Sequence, residues 1–327
     1  MQSSDYPLVS IVTPVLNRAE QISACLASVS SQGYPNIEHI VVDGGSSDGT
    51  LERIKSFTSN HQFHWISEPD GGMYEAVNKG LSLARGEVLA YLNSDDFYLP
   101  WSVETAIKSL SDNIDVVYGD LGVLFITPDG QSNFRIQFYP SFDLTYFAHV
   151  ATLGQPSVFW RRKISEKIGG FDTSYRLLGD CEYWLRAATE GSARFTHVNE
   201  VLAIQIDHAD TLRATQSEQL TTEFKRVRSH YSGVISPPRN PRWWRYKKSL
   251  RWRQFQLRMM IEIYRREPSR WPRFIEFMRS NDIRVNRPAR ALASLLPARY
   301  RPGWAMKIDK SAFESRLLTT IGADGFS

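Results

Sequence analysis

Four short apolar runs give the first 110 residues a regular beat. They are LVSIVTP from Leu8, IEHIVVDGG from Ile37, FHWISEP from Phe63 and EVLAYLNSDD from Glu87. Each is rich in β-branched residues and ends in a polar or Gly/Pro stretch, as a buried strand does. Residues 19–31, 48–58 and 73–84 between them carry a helical apolar period. Strand and helix alternating at this spacing predict βαβ units, and hence an α/β domain on a mostly parallel sheet with right-handed crossovers. Four polar loops then fall at one edge of that sheet, where α/β folds bind ligands. They are Thr13-Pro14-Val15-Leu16-Asn17-Arg18, Asp43-Gly44-Gly45-Ser46-Ser47-Asp48, Glu68-Pro69-Asp70-Gly71-Gly72 and Asn93-Ser94-Asp95-Asp96.

The fourth loop carries the most chemistry. If the chain stays extended there, adjacent Asp95 and Asp96 point to opposite faces, while Asn93 and Asp95 share one. Asn93 and Asp95 then suit one divalent cation that carries a diphosphate. The plainer reading makes the stretch a polar turn with Asp96 capping the next helix.

Beyond Pro100 the pattern predicts a helix over 101–110 and a strand over 114–119. A hairpin of 121–126 and 132–138 follows, about Pro128-Asp129-Gly130. The aromatic segment 138–150 reads as core or as the lining of an acceptor channel. A return strand over 155–159, a helix from Asp180 to about Glu190, and strands over 193–198 and 201–206 follow. His208 lies in the loop after them. A helix over 211–231 is closed by Pro237, Pro238 and Pro241. Residues 243–266 carry an apolar, aromatic face (Trp243, Tyr246, Leu250, Ile261) largely opposite Lys247, Lys248 and Arg251.

Charge divides the chain. Residues 1–224 hold 15 Lys and Arg against 28 Asp and Glu, a balance of −13, whereas residues 225–310 hold 23 against 5, a balance of +18. Five of the nine Trp lie in the basic part. With 327 residues in all, two regions are expected: a catalytic domain over 1–210 and a helical, basic and aromatic region over 211–327. The latter suits an anionic membrane surface or another subunit. Nucleic-acid binding through it is the alternative from another class, opposed by the −13 half and by the lack of an accompanying motif. Only Cys25 and Cys181 occur, at no metal-ligand spacing. No basic leader with an apolar core opens the chain, and no run of 18 apolar residues occurs. A cytoplasmic protein is expected, with the inner membrane face or another subunit as the two alternatives for its C-terminal region.

The segments VSIVTPVLNR, HIVVDGGSSDGT, EPDGGMYEAVNKGL, GEVLAYLNSDD and GGFD…GDCEYWLRA together resemble the family 2 glycosyltransferases over about two-thirds of the chain. The resemblance implies the GT-A fold and an inverting, metal-dependent transfer from a nucleotide-diphosphate sugar, with a UDP-sugar favoured. The acceptor would be a hydroxyl of a glycan or lipid-linked substrate. By the same resemblance Pro14 and Asn17 line the first nucleotide loop and Asp43, beside Gly44, faces the base. Asp70 and Lys79 line the nucleotide and diphosphate, Asn93 and Ser94 adjoin the sugar nucleotide, and Asp95 holds Mn2+ or Mg2+. His208 is a further candidate metal ligand and Asp180 the base that takes the acceptor proton. Two positions depart from the family pattern: Leu16 stands where an aromatic is usual, and Asn93 where a first Asp is usual. An inactive scaffold on the same fold is the remaining alternative.

Overall fold

The computed structural model describes residues 6–126, 132–137, 139, 141–144, 147–148, 153–208 and 216–233. The expected turn at Pro128-Asp129-Gly130, most of the aromatic segment 138–150 and the amphipathic stretch 243–266 lie outside them. Among the described residues no helix is long and apolar enough to cross a membrane.

The predicted beat is present. Strands β1 (Val9–Val15), β2 (Ile37–Asp43), β3 (Gln62–Ser67) and β4 (Val88–Tyr91) are parallel, in the order β3-β2-β1-β4. Helices α1 (Ile22–Ser30), α2 (Thr50–Ser56) and α3 (Met73–Leu83) join them. All of β1, β2 and β4 is buried, which is why these strands read as continuous apolar runs rather than alternating ones. The chain steps outward from β1 to β3 and then returns to the other side of β1 to make β4. That reversal opens a crevice between the ends of β1 and β4.

The sheet continues past β4 through β8 (Val158–Arg161), β6 (Val116–Ile126), β9 (Phe195–His208) and the short β5 (Phe97–Tyr98), while β7 (Ser132–Gln137) pairs with the upper half of β6. Strand β8 runs antiparallel to both neighbours. Three expectations change here. The segments 114–119 and 121–126 are one strand, irregular in register on either side of Asp120. A Cβ on Gly119 would lie 2.5 Å from the Leu202 side chain and 2.6 Å from the Glu200 carbonyl, so only glycine lets β6 and β9 cross this closely. The segments 193–198 and 201–206 likewise merge into β9, which takes in His208. The return strand starts late, after a 3-10 turn over Gln155–Ser157.

Helix α4 (Ser102–Ser109) covers β6 and β9, and α5 (Arg162–Ile168) leads into the turn before α6 (Gly179–Thr189). The final described helix, α7 (Ser217–His230), was grouped by charge with the C-terminal region. It nevertheless seats Val227 and the following Tyr231 in the main core. An aromatic stack fastens α6 to the rest. Phe171 lies 4.1 Å from Tyr183 and 5.7 Å from Tyr74, nearly parallel to both, and Trp160 meets Trp184 edge to face. Such pairs contribute about 0.5–1.5 kcal/mol each beyond burial.

Candidate active site

The loops after β1 and β2 are laced together. Asn17 adopts a positive φ of 52°. Its backbone N–H donates to Ser46 Oγ at 2.8 Å, and its side-chain Oδ1 accepts from the Ser47 N–H at 2.9 Å. Arg18 N–H reaches Thr50 Oγ1, and Ala19 N–H reaches Asp48 Oδ2. Pro14 is buried within β1, and Leu16 beside Asn17 is half exposed, at 51%. Asp43 is 0% exposed, and its carboxylate accepts from the Ser46 N–H, the Ser46 hydroxyl and the Ser67 hydroxyl. Here it holds the loop in shape; a nucleobase would have to displace a serine to reach it.

The third loop closes over the second. A Cβ on Gly44 would sit 2.7 Å from Asp70 Oδ2, so Asp70 lies directly against that backbone. Asp70 Oδ1 accepts from the Gly72 N–H at 2.8 Å. Lys79 turns toward its own loop, 3.1 Å from Glu68 and 3.3 Å from Glu75, and donates to the Pro69 carbonyl. The Glu68 hydrogen bond foremost, and Glu75 after it, hold its pKa above the ordinary lysine value. A diphosphate arriving there would compete with two carboxylates for this one ammonium.

Residues 93–96 do not stay extended. Asp96 N–H donates to the Asn93 carbonyl at 3.0 Å, which makes a turn. The extended-chain reason for pairing Asn93 with Asp95 therefore does not apply. Asp96, 2% exposed, accepts from the Asn93 amide at 3.2 Å and from the Ile206 N–H of β9 at 3.0 Å. It is no helix cap: α4 begins at Ser102, after β5. Asp96 pins the turn to β9, whereas Asp95 at its corner is only partly buried. Ser94 is buried, and Asn93 Oδ1 is buried with no hydrogen-bond partner. Among the described residues no three His, Cys, Asp or Glu side chains gather as a metal cage. One accessible carboxylate and one unpartnered amide oxygen are hard ligands. They fit Mg2+ or Mn2+, which takes its remaining ligands from phosphate and water. The backbone of His208 ends β9 opposite Ile126; its side chain lies outside the described residues.

Asp180 occupies the first turn of α6, as the sequence predicts, where a helix N-terminus favours a carboxylate. The sequence does not single out its partner, Tyr74. The Asp180 N–H donates to the Tyr74 hydroxyl at 3.1 Å, and that hydroxyl faces Asp180 Oδ1 at 3.4 Å. Tyr74 is the second residue of α3, immediately after the Asp70 loop, and its apolar-face spacing marks it only as core. Asn78, one turn on, exchanges two 2.8 Å hydrogen bonds with the backbone of Phe171. Tyr91 at the end of β4 ties the pieces together. Burial first, then Tyr74, Asp180, Cys181 and Asp96, push its phenol well above the ordinary value. Asp180 and Asp96 thus both bear electrostatically on the Tyr91 phenol, while Asp70 lies against Gly44 at the ends of β2 and β3. Burial likewise pushes the Cys25 thiol up, so it stays protonated and packs as a small hydrophobe.

The loops after β1, β2, β3 and β4 thus lie at the carboxyl ends of four parallel strands, at the strand reversal, and Asp180 is tied to α3 through Tyr74. Glycosyl transferase family 2 matches residues 10–169. A PGL/p-HBAD biosynthesis glycosyltransferase of Mycobacterium bovis (strain BCG) is 31% identical over 199 residues, 59% of this chain and 75% of that relative. An uncharacterized glycosyltransferase of Mycobacterium tuberculosis is 33% identical over 187 residues, 56% and 69% of the two chains. The chain belongs to the family 2 glycosyltransferases. Its fold is that of the mannosyltransferase PcManGT from Pyrobaculum calidifontis, solved in complex with GDP-Man and Mn2+, with a TM-score of 0.52 at 18% identity over 97% of this chain and 86% of that one. The enzyme is a glycosyltransferase of GT-A architecture.

Proposed function

We propose that this glycosyltransferase moves a sugar, with inversion, from a nucleoside-diphosphate donor to an acceptor hydroxyl, with Asp180 as the base. The observation that carries the reading is the Tyr74–Asp180 contact. It fixes a carboxylate at a helix N-terminus against α3, the helix that follows the Asp70 loop, and this supports reading Asp180 as the group that faces the acceptor. Inversion needs a base on the acceptor side opposite the leaving diphosphate, and Asp180 and Asp95 divide those two sides. Asp95, with Asn93 beside it, would hold Mn2+ or Mg2+. When bound, such an ion neutralises charge that builds on the leaving diphosphate. The loops carrying Asn17, Gly44 and Asp70 enclose the nucleotide, and the GDP-Man and Mn2+ bound by PcManGT support a donor of that class. The reading of the acceptor as a glycan or lipid-linked hydroxyl rests on the family resemblance.

The test is nucleotide release from UDP-glucose, UDP-GlcNAc and GDP-mannose with Mn2+. Asp180→Asn is expected to lose about 10²–10⁴-fold in turnover while still binding nucleotide. Asp95→Ala is expected to lose the dependence of nucleotide binding on Mn2+. Wild-type turnover in both variants would reject the assignment.

A further inference from the structure

The buried face of α7 is not only apolar. Glu223, 6% exposed, aims its carboxylate at three consecutive backbone donors: the N–H groups of Arg176 at 3.0 Å, Leu177 at 2.9 Å and Leu178 at 2.9 Å. Gln219 Nε2, one turn back on α7, adds a fourth bond at 3.1 Å. Leu178 is the residue immediately before α6, and Asp180 follows two positions later. Backbone N–H groups at a helix entrance have no acceptor inside the helix. The residue at this N-cap supplies no side-chain bond of its own, so the acceptor comes from a helix some 45 residues further along the chain.

Two more contacts grip the same region. Arg226 donates to Ser174 Oγ at 2.7 Å and stacks 4.0 Å above the Tyr175 ring. The Tyr231 hydroxyl donates to Glu182 Oε1 at 3.0 Å, on the turn of α6 that carries Asp180. The first turn of α6 is thus held from two sides, by Tyr74 from α3 and by α7 through Glu223. Carboxylate-to-amide bonds of this kind are charge-assisted and stronger than neutral ones. Removing the carboxylate leaves three backbone donors at the helix entrance with no partner.

We propose that Glu223 is a positioning residue for Asp180: by holding the N–H groups of residues 176–178 it fixes where the first turn of α6, and with it the base, stands against the acceptor hydroxyl. The proposal rests on the reading of Asp180 as base. It makes α7 part of the catalytic apparatus.

Turnover of the donor that the panel identifies, donor KM, and UDP affinity with Mn2+ by calorimetry test it in Glu223→Gln, Glu223→Ala, Asp180→Asn and the Asp180→Asn/Glu223→Ala double variant. Glutamine keeps one acceptor oxygen but turns the other position into a donor that faces donors. The expected result is a fall in kcat of about 10-fold for Gln and about 100-fold for Ala, with KM and UDP affinity changed by less than about two-fold. In the Asp180→Asn background the Ala substitution should add less than about two-fold, because both changes act through one group. If the Ala variant does not fold, the Gln variant carries the same test. Wild-type kcat in Glu223→Gln, a loss confined to KM, or a Glu223 loss kept in full without Asp180 would each overturn the proposal. Wild-type turnover in Asp180→Asn would instead remove the base assignment itself, and Glu223's role with it.

Discussion

Tyr74 shows how a single hydroxyl can decide where Asp180, the proposed base, stands. Its ring is buried against Phe171, and its oxygen accepts from the Asp180 N–H while facing the Asp180 carboxylate. Tyr74→Phe keeps the packing and removes only that oxygen. It should reduce turnover about 10-fold, by analogy with other misplaced catalytic groups, and lower stability by about 1 kcal/mol. Steady-state kinetics beside urea unfolding would separate the two effects. Individual site residues were unevenly legible. Asp180 was readable because an acidic residue ahead of a helical apolar period announces a first turn. Tyr74 was not, because a tyrosine on an apolar face reads as filler until the partner of its hydroxyl is seen. Asp43 and Asp96 were readable as carboxylates at strand ends. Their burial and their engagement by Ser46, Ser67 and Ile206 depend on neighbours 3 to 110 residues away.

At the scale of elements, α3 is the hinge of the site. Its first turn carries Tyr74, and its loop carries Asp70. Its body lies on β1 so closely that a Cβ on Gly80 would come 2.3 Å from Val12 Cγ1. Gly80→Ala should therefore cost about 1–3 kcal/mol through overpacking, despite the better helix propensity of alanine. A lowered urea midpoint with an unchanged slope is the expected reading; a gain in stability would mean that β1 yields easily. The first four strands and three helices were legible because each buries one continuous apolar run or stripe, a local property. The breaks drawn inside β6 and β9 were not real. Gly119 and the Asn199–Glu200 pair are turn-like in composition, but the pairing of two long strands overrides local preference there. Likewise the sequence leaves an extended tip and a polar turn both open over 93–96; the turn is what forms, and nothing local reveals that Asp96 will bind β9 instead of capping a helix.

The whole molecule should weaken in mild acid, and the reason is traceable. The His39 ring is buried between strands, 2.9 Å from Thr13 Oγ1. Burial, with His61 nearby, depresses its pKa to about 3. Burial also lowers His61. An unfolded chain takes up these protons below about pH 6.5, while in the folded protein His39 resists until about pH 3. The unfolded state thus binds more protons across that window, and stability declines as pH falls through it, with His39 contributing up to about 1.4 kcal/mol per pH unit. Urea midpoints measured from pH 7 to pH 4 should fall steadily, and His39→Gln should flatten the slope.

The antiparallel strand β8, wedged between β4 and β6, also bears on how the chain is made. By the time the ribosome has emitted Tyr91, the four parallel strands and their helices are out, yet the outer flank of β4 has nothing to pair with until Val158–Arg161 is delivered. An unpaired apolar strand edge invites pairing with other chains, and long-range pairings of this kind form slowly. A nascent chain of this enzyme therefore passes through a stage in which one flank of β4 is adhesive, and that flank closes with the arrival of one four-residue strand.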